Sequence, residues 1–268
     1  MTRIDTSAML DTSGSSGTLR PRAGSPRHPV RLLHTSDLHI GSGYGGADDG
    51  EWPERAVAYL NKTVELAHEH SADLMIIAGD LFDHNRVSGP LVGTTGALLE
   101  CAAIPVVILP GNHDPYMEES IYGRNRSLFP DNVHIIREEV GELIVLADPG
   151  VQVWGQAHTG YYDFGPARAA PSWNHHLERS LWRVAVVHGV YVRSDYETRF
   201  SYQIQPHELE ELGAHYVGLG HLELHGPVGP DGAVAYYSGS PERSGGATVV
   251  DLTPQGVEVR HVKHETVR

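Results

Sequence analysis

The strongest constraint in this 268-residue chain is the kind of residue found directly after each of its short apolar runs. Val30 to Thr35 leads into Ser36-Asp37-Leu38-His39, and Leu74 to Ala78 into Gly79-Asp80-Leu81-Phe82-Asp83. Val106 to Leu109 leads into Gly111-Asn112-His113-Asp114, Val184 to Val187 into His188-Gly189, and Tyr216 to Leu219 into Gly220-His221-Leu222-Glu223. Runs this short and this apolar read as strands buried on both faces, the kind found in sheets covered by helices. Each of them delivers metal-capable side chains at its carboxyl end. In an open α/β sheet those ends face the crevice where ligands bind, so the pattern points to an α/β fold with its site there.

The remaining sequence fills in the layers. Trp52, Ala56, Leu60, Val64 and Ala67 recur at helical spacing, with Pro53 suited to a first turn. Leu91 to Ala103 reads as a second helix, and Pro206 to Leu212, closed by Gly213, as a short third. Val133 to Ile136, Leu143 to Leu146 and Val151 to Trp154 read as strands in close succession. Val234 to Val262 reads as β-hairpins with a turn at Pro254-Gln255-Gly256. The order predicts two packed mixed sheets flanked by helices, in one domain over residues 30–268. Residues 1–29, rich in Ser, Thr, Gly and Pro, read as a disordered tail without the apolar core of a secretory signal. No run approaches the roughly 18 apolar residues of a membrane span, so a cytoplasmic location and no membrane partner are expected.

The strand ends carry a specific donor set. Asp37 and His39 lie two apart, so on an extended segment both would face one side. Asp80 offers a carboxylate that can bridge two ions, Asn112 an amide oxygen, His188 and His221 imidazoles. The single cysteine, Cys101, excludes an internal disulfide and a Cys-based zinc site. Nitrogen and oxygen donors without thiolate suit Mn, Fe or Zn. Two such ions roughly 3.5–4 Å apart clamp a phosphoryl oxygen and activate water for in-line attack. His113 would then protonate the leaving oxygen or stabilise the transition state, with Asp114 fixing its tautomer. Asp83 reads as a residue that caps or satisfies its own loop. Asp-x-His or Gly-Asn-His-Asp alone is an ordinary turn sequence; the set, in this order and at strand ends, is what carries the reading.

These motifs resemble the calcineurin-like metallophosphoesterase superfamily. Gly79-Asp80-Leu81-Phe82-Asp83, Gly111-Asn112-His113-Asp114-Pro115, Asn132-Val133-His134, Tyr216-Val217-Gly218-Leu219-Gly220-His221 and Ser238-Gly239-Ser240-Pro241 are similar to its SbcD-type exonuclease branch. The resemblance implies a four-layer α/β/β/α sandwich and two divalent ions, manganese foremost, with Fe, Zn or Mg as alternatives. Asp37, His39 and Asp80 would hold one ion, and Asp80, Asn112, His188 and His221 the other, with His113 as the catalytic histidine. Where the family has Gly-His-x-His, this chain has Glu223 in the second place. If residues 221–225 are extended, His221, Glu223 and His225 all face the site, and Glu223 completes the first metal, with His225 or water as the substitute.

Charge narrows the substrate. Lys plus Arg number 20 against 34 Asp plus Glu, a net −14 that disfavours a broad basic face for nucleic acid. Arg124, Arg126, Arg193 and Arg199 would have to form a local funnel, and read otherwise as surface charges. The chain ends soon after its last hairpins, so docking to an SbcC-like ATPase partner is not expected. The leading expectation is a two-metal hydrolase of a phosphomonoester or phosphodiester. An SbcD-like DNA or RNA nuclease is the alternative, and a metal-binding regulatory protein with a degenerate site is the reading from another class.

Overall fold

A computed structural model describes residues 28–42, 52–174, 181–192, 200–229 and 234–265. Residues 1–27 of the expected tail, with Arg193 and Arg199, lie outside the described residues. The chain runs β1 (Val30–Thr35), α1 (Trp52–Glu69), β2 (Leu74–Ala78), α2 (Gly89–Cys101), β3 (Val106–Leu109), α3 (Ile121–Arg124) and β4 (Val133–Ile135). Then come β5 (Glu142–Leu146), β6 (Val151–Gly155), β7 (Trp182–His188), β8 (Val190–Tyr191), β9 (Gln203–Ile204), α4 (Pro206–Glu211) and β10 (Tyr216–Gly220). The chain closes with β11 (Gly226–Val228), β12 (Ala235–Tyr237), α5 (Pro241–Ser244), β13 (Gly246–Thr253) and β14 (Gly256–Lys263).

Two six-stranded mixed sheets result, in the orders β14-β13-β1-β2-β3-β4 and β11-β12-β10-β7-β6-β5. β1, β2 and β3 are parallel, as are β6, β7, β10 and β12, so their carboxyl ends open on one edge of each sheet. The expected run of hairpins after residue 234 is only half present. β13 and β14 do form a hairpin on the first sheet, but β12 joins the second sheet parallel to β10. The cause is α5, a turn of helix between β12 and β13 that carries the chain from one sheet to the other.

Period-two alternation sorts the strands' side chains into layers. Leu33, Met75, Ile77, Val106 and Ile108 pack with Tyr59, Leu60, Val64 and Leu99 of the helices. Their neighbours Leu32, Leu74, Ile76, Val107 and Leu109 turn inward to meet Val151, Val153, Val184, Val186 and Tyr216 of the second sheet. The far face of that sheet carries Ala185, Val187, Val217 and Leu219 beneath Leu209 and Leu212 and the Trp173 ring. Each fully buried aliphatic side chain contributes roughly 1.5–3 kcal/mol, and a one-residue slip would exchange the two faces, so register is strongly held. No helix among the described residues is long and apolar enough to cross a membrane.

Candidate metal centre

The strand-end loops of both sheets converge. Donor atoms of Asp37, His39 and Asp80 lie within 4.8 Å of one another, as do those of Asp80, His188 and His221. Asp80 belongs to both groups. Asn112 sits against the second group, its Oδ1 being 3.0 Å from His188 Nε2 and 2.9 Å from His221 Nδ1. Seven sequence-predicted residues, Asp37, His39, Asp80, Asn112, His113, His188 and His221, are thus brought to one place.

The backbone bends hard to do this. Asp37, His39, Asp80 and His221 have φ of 55°, 49°, 52° and 93°, the left-handed region that ordinary side chains avoid. The segment carrying Asp37 and His39 is therefore not extended as expected. Backbone N–H groups of Asp37 and His39 donate to Gly79 and Asp80 carbonyls at 3.0 Å, and this lacing holds both side chains toward Asp80. Strain of this kind clusters at functional sites, where the surrounding structure over-determines it. Gly79 shows how little room remains: at φ +90°, a Cβ there would lie 1.9 Å from His188 Nδ1. Gly79→Ala is expected to lower stability by about 2–4 kcal/mol and to displace His188, as urea unfolding and metal titration would show.

Hydrogen bonds fix which atoms face the centre. His188 Nδ1 lies 2.8 Å from the Ala78 carbonyl and donates to it, which leaves Nε2 facing Asp80 Oδ2 at 3.2 Å. His39 Nδ1 meets Asp83 Oδ1 at 3.1 Å, and its Nε2 faces Asp80. A histidine oriented through its second nitrogen by a carbonyl or carboxylate is the usual preparation of a metal ligand. The Asp37 carboxylate accepts from the His221 backbone N–H at 3.0 Å, tying the two sheets together at the site.

The charges respond to this crowding. Burial raises the Asp37 carboxyl, against the lowering influence of His188. Burial would also raise Asp80, but His188, His39 and His113 outweigh it and hold Asp80 well below the usual carboxylate range. For His188, burial opposes the charged form, yet the Asp80 charge and hydrogen bond raise it to about 9. His39 follows the same balance, with Asp83 and Asp80 prevailing over burial to give about 9. His221, lowered to about 4 by burial and by His188, is neutral and keeps a lone pair.

Three expectations need correction. Asp114 does not orient His113. It is fully buried, and its Oδ2 accepts from the Phe82 N–H at 2.9 Å and the Tyr122 hydroxyl at 2.6 Å. Its Oδ1 accepts from the Gly111 N–H at 2.7 Å, and burial, with the Asp80 charge, raises its carboxyl to about 6. The orienting group is Asp83, whose backbone carbonyl accepts from His113 Nδ1 at 3.0 Å while its carboxylate holds His39. Asp83 is therefore more than a loop residue.

Glu223 and His225 fail to join the ligand groups because residues 221–224 bend rather than extend. Glu223 pairs with Arg243 Nε at 2.5 Å. His225 stacks on His261 and bonds Thr248 Oγ1 at 3.0 Å. Sequence reasoning also missed His158, although β6 ends in a signal like the others, Gly155-Gln156-Ala157-His158. Its Nε2 donates to the His188 carbonyl at 3.0 Å, and burial lowers the imidazole to about 3, so it is a neutral brace behind His188.

Comparison with known proteins shows the family and the fold. The profile of the calcineurin-like phosphoesterase family matches residues 30–222. The DNA double-strand break repair protein Mre11 of Nanoarchaeum equitans is 38% identical over 86 residues, 31% of this chain and 23% of that protein. The SbcD component of the nuclease SbcCD from Escherichia coli strain K12 is 34% identical over 89 residues, 32% of this chain and 21% of that protein. The matched stretch thus spans under a quarter of either relative's length. The purple acid phosphatase PPD1 from yellow lupin (Lupinus luteus) shares the fold, with a TM-score of 0.55 at 12% identity, over 91% of this chain and 53% of that one. With a family match across most of its length, this chain belongs to the calcineurin-like phosphoesterase family.

Proposed function

We propose that the chain is a two-metal hydrolase of phosphate esters, with manganese the first candidate ion. Asp37, His39 and Asp80 would hold one ion, and Asp80, Asn112, His188 and His221 the other. The observation that carries the reading is Asp80, one buried carboxylate shared by two groups of donors. The donors fit: nitrogen and oxygen atoms converge, and the outward nitrogens of His188 and His39 are spoken for. When bound, a pair of divalent ions supplies Lewis acidity and a water activated for attack on phosphorus. His113, which lines the adjoining pocket with Nδ1 committed to Asp83, would hold or deliver a proton to the leaving oxygen from Nε2.

A nuclease reading has one specific observation in its favour, the local identity to Mre11 and SbcD. The net charge of −14 weighs against it for a long polyanion. One assay separates the readings: an aryl phosphomonoester, an aryl phosphodiester and end-labelled duplex DNA, each with Mn, Fe, Zn or Mg. Turnover of the small esters with intact DNA is expected. Cleavage of the DNA would favour the nuclease, and no turnover of any ester with any ion would overturn both.

Metal binding is expected to depend on pH with a definite sign. In the metal-free protein His39 and His188 hold protons up to about 9, and an ion must displace them. Affinity therefore rises as pH increases toward 9 and weakens as pH falls. Calorimetric titration with Mn²⁺ in two buffers of different ionisation enthalpy should register proton release of about one to two per chain at neutral pH. Zero release would contradict the coupling.

A further inference from the structure

Beside the donor groups lies a pocket of about 540 Å³. Asp37, His39, Asp83 and His113 form its inner side, and Leu38, Ala56 and Tyr59 an apolar wall. Its outer side is Glu223 and the α5 segment from Ser240 to Arg243. The pocket is rich in carboxylates, and Arg243 is its one guanidinium among the described lining residues. An anionic substrate entering the pocket would therefore meet Arg243 as the guanidinium of its lining, with Arg55 held nearby by Glu242.

That cation is placed by the backbone. The Ser240 N–H donates to the Glu223 carbonyl at 3.2 Å, joining α5 to the loop after β10. Ser240 Oγ accepts from the Arg243 N–H at 3.3 Å, and Gly245 closes the turn at φ 76°. Gly239, at φ 71°, lies so close to that loop that a Cβ there would be 2.8 Å from the Glu223 carbonyl oxygen. Glu242, the neighbouring acid, is drawn to Arg55 on α1 at 3.0 Å. Arg243 is left with Glu223 as its carboxylate partner, and the pair is exposed at 66% and 38%. An exposed ion pair adds little stability, so exchanging Glu223 for a phosphate costs little, while a guanidinium and a phosphate match in geometry.

Resting on the phosphoesterase reading, we propose that Arg243 is the specificity-determining residue of this pocket. It binds a second, non-reacting phosphate of the substrate, with Glu223 as the partner it releases. The substrate class is a phosphodiester that carries a neighbouring phosphate. Glu223, which occupies the place of a family metal ligand, serves recognition instead.

The test compares the thymidine dinucleotide TpT with its 5′-phosphorylated form pTpT, using wild type, R243Q, R243K and E223Q with Mn²⁺. R243Q should raise KM for pTpT about tenfold or more, leaving kcat and the KM for TpT nearly unchanged. R243K should recover part of that loss. Metal stoichiometry, measured by elemental analysis, should be unchanged in R243Q and E223Q. Equal KM changes for both dinucleotides, no change for either, or loss of an ion in E223Q would overturn the proposal. If wild type cleaves no ester, the hydrolase reading fails separately, and calorimetric binding of pTpT decides the pocket. Binding to R243Q about tenfold weaker than to wild type would support it, and equal binding would overturn it.

Discussion

Asp80→Asn is expected to lower kcat/KM for an aryl phosphodiester by about a thousand-fold or more, while far-UV circular dichroism is unchanged. The substitution keeps the volume of a side chain that is 2% exposed. It also preserves an oxygen that can accept from the His113 backbone N–H, now 2.9 Å away. What it removes is the negative charge shared by both donor groups. An amide oxygen is a weak bridge between two cations, so both ions bind less tightly and the site loses the geometry that aligns water with phosphorus. In the metal-free protein the same charge keeps His188 protonated, so the His188 imidazole should revert to its neutral form in the variant. A proton-resolved NMR titration of His188 would see that change without any turnover. Retained activity in Asp80→Asn would remove the bridging role.

The largest effect on stability is expected at Asp114. Asp114→Ala should lower unfolding free energy by about 3–5 kcal/mol near neutral pH, because it deletes the acceptor of three buried hydrogen bonds. The backbone N–H groups of Phe82 and Gly111 would be left unpaired inside the protein, and those residues lie close to Asp80 and Asn112 in sequence. Metal affinity should therefore fall together with stability. Tyr122→Phe removes only one of the three bonds and should cost about 1 kcal/mol, with activity largely kept. Urea unfolding of the two variants measures the difference. Equal losses would mean that the tyrosine, rather than the two loop N–H groups, carries the stabilisation.

The sequence was most readable where one physical rule dominates. Apolar runs closed by glycine or proline marked β2 and β3 to the residue, because strands buried on both faces leave no polar alternation to confuse their limits. The candidate donors stood out because metal-capable side chains follow one strand end after another. Legibility failed where side-chain direction depends on unusual backbone angles. The two-residue spacing of Asp37 and His39 suggested an extended segment, yet both lie at positive φ and still converge. The same assumption applied to residues 221–225 put Glu223 and His225 into the site, and there the bend sends them elsewhere. Asp83 and Asp114 exchanged their expected roles for a similar reason. Only the fold shows that the carboxylate one residue after His113 turns into the core, while the backbone carbonyl of Asp83 in the preceding loop accepts from its ring. The 18 histidines divide in the same way: several are ligand candidates, whereas His34 and His158 are buried, neutral packing groups lowered to about 3.

The acidic balance of the chain also gains a location. Asp37, Asp80 and Asp83 meet at the centre, where divalent ions would offset them, and Glu223 and Glu242 are paired with Arg243 and Arg55 at the pocket's rim. Under the proposed function, a small phosphate ester would meet a locally compensated site, and a long polyanion the uncompensated remainder of the −14.

The proposed chemistry stands or falls on one carboxylate, Asp80, bridging two ions that together hydrolyse a phosphate ester. The decisive experiment follows the activity of chelator-stripped protein on an aryl phosphodiester as Mn²⁺ is added in known equivalents. No activity is expected without metal, and a plateau is expected at about two ions per chain. Full activity with one ion per chain, or activity that survives complete chelation, would contradict the two-ion bridge.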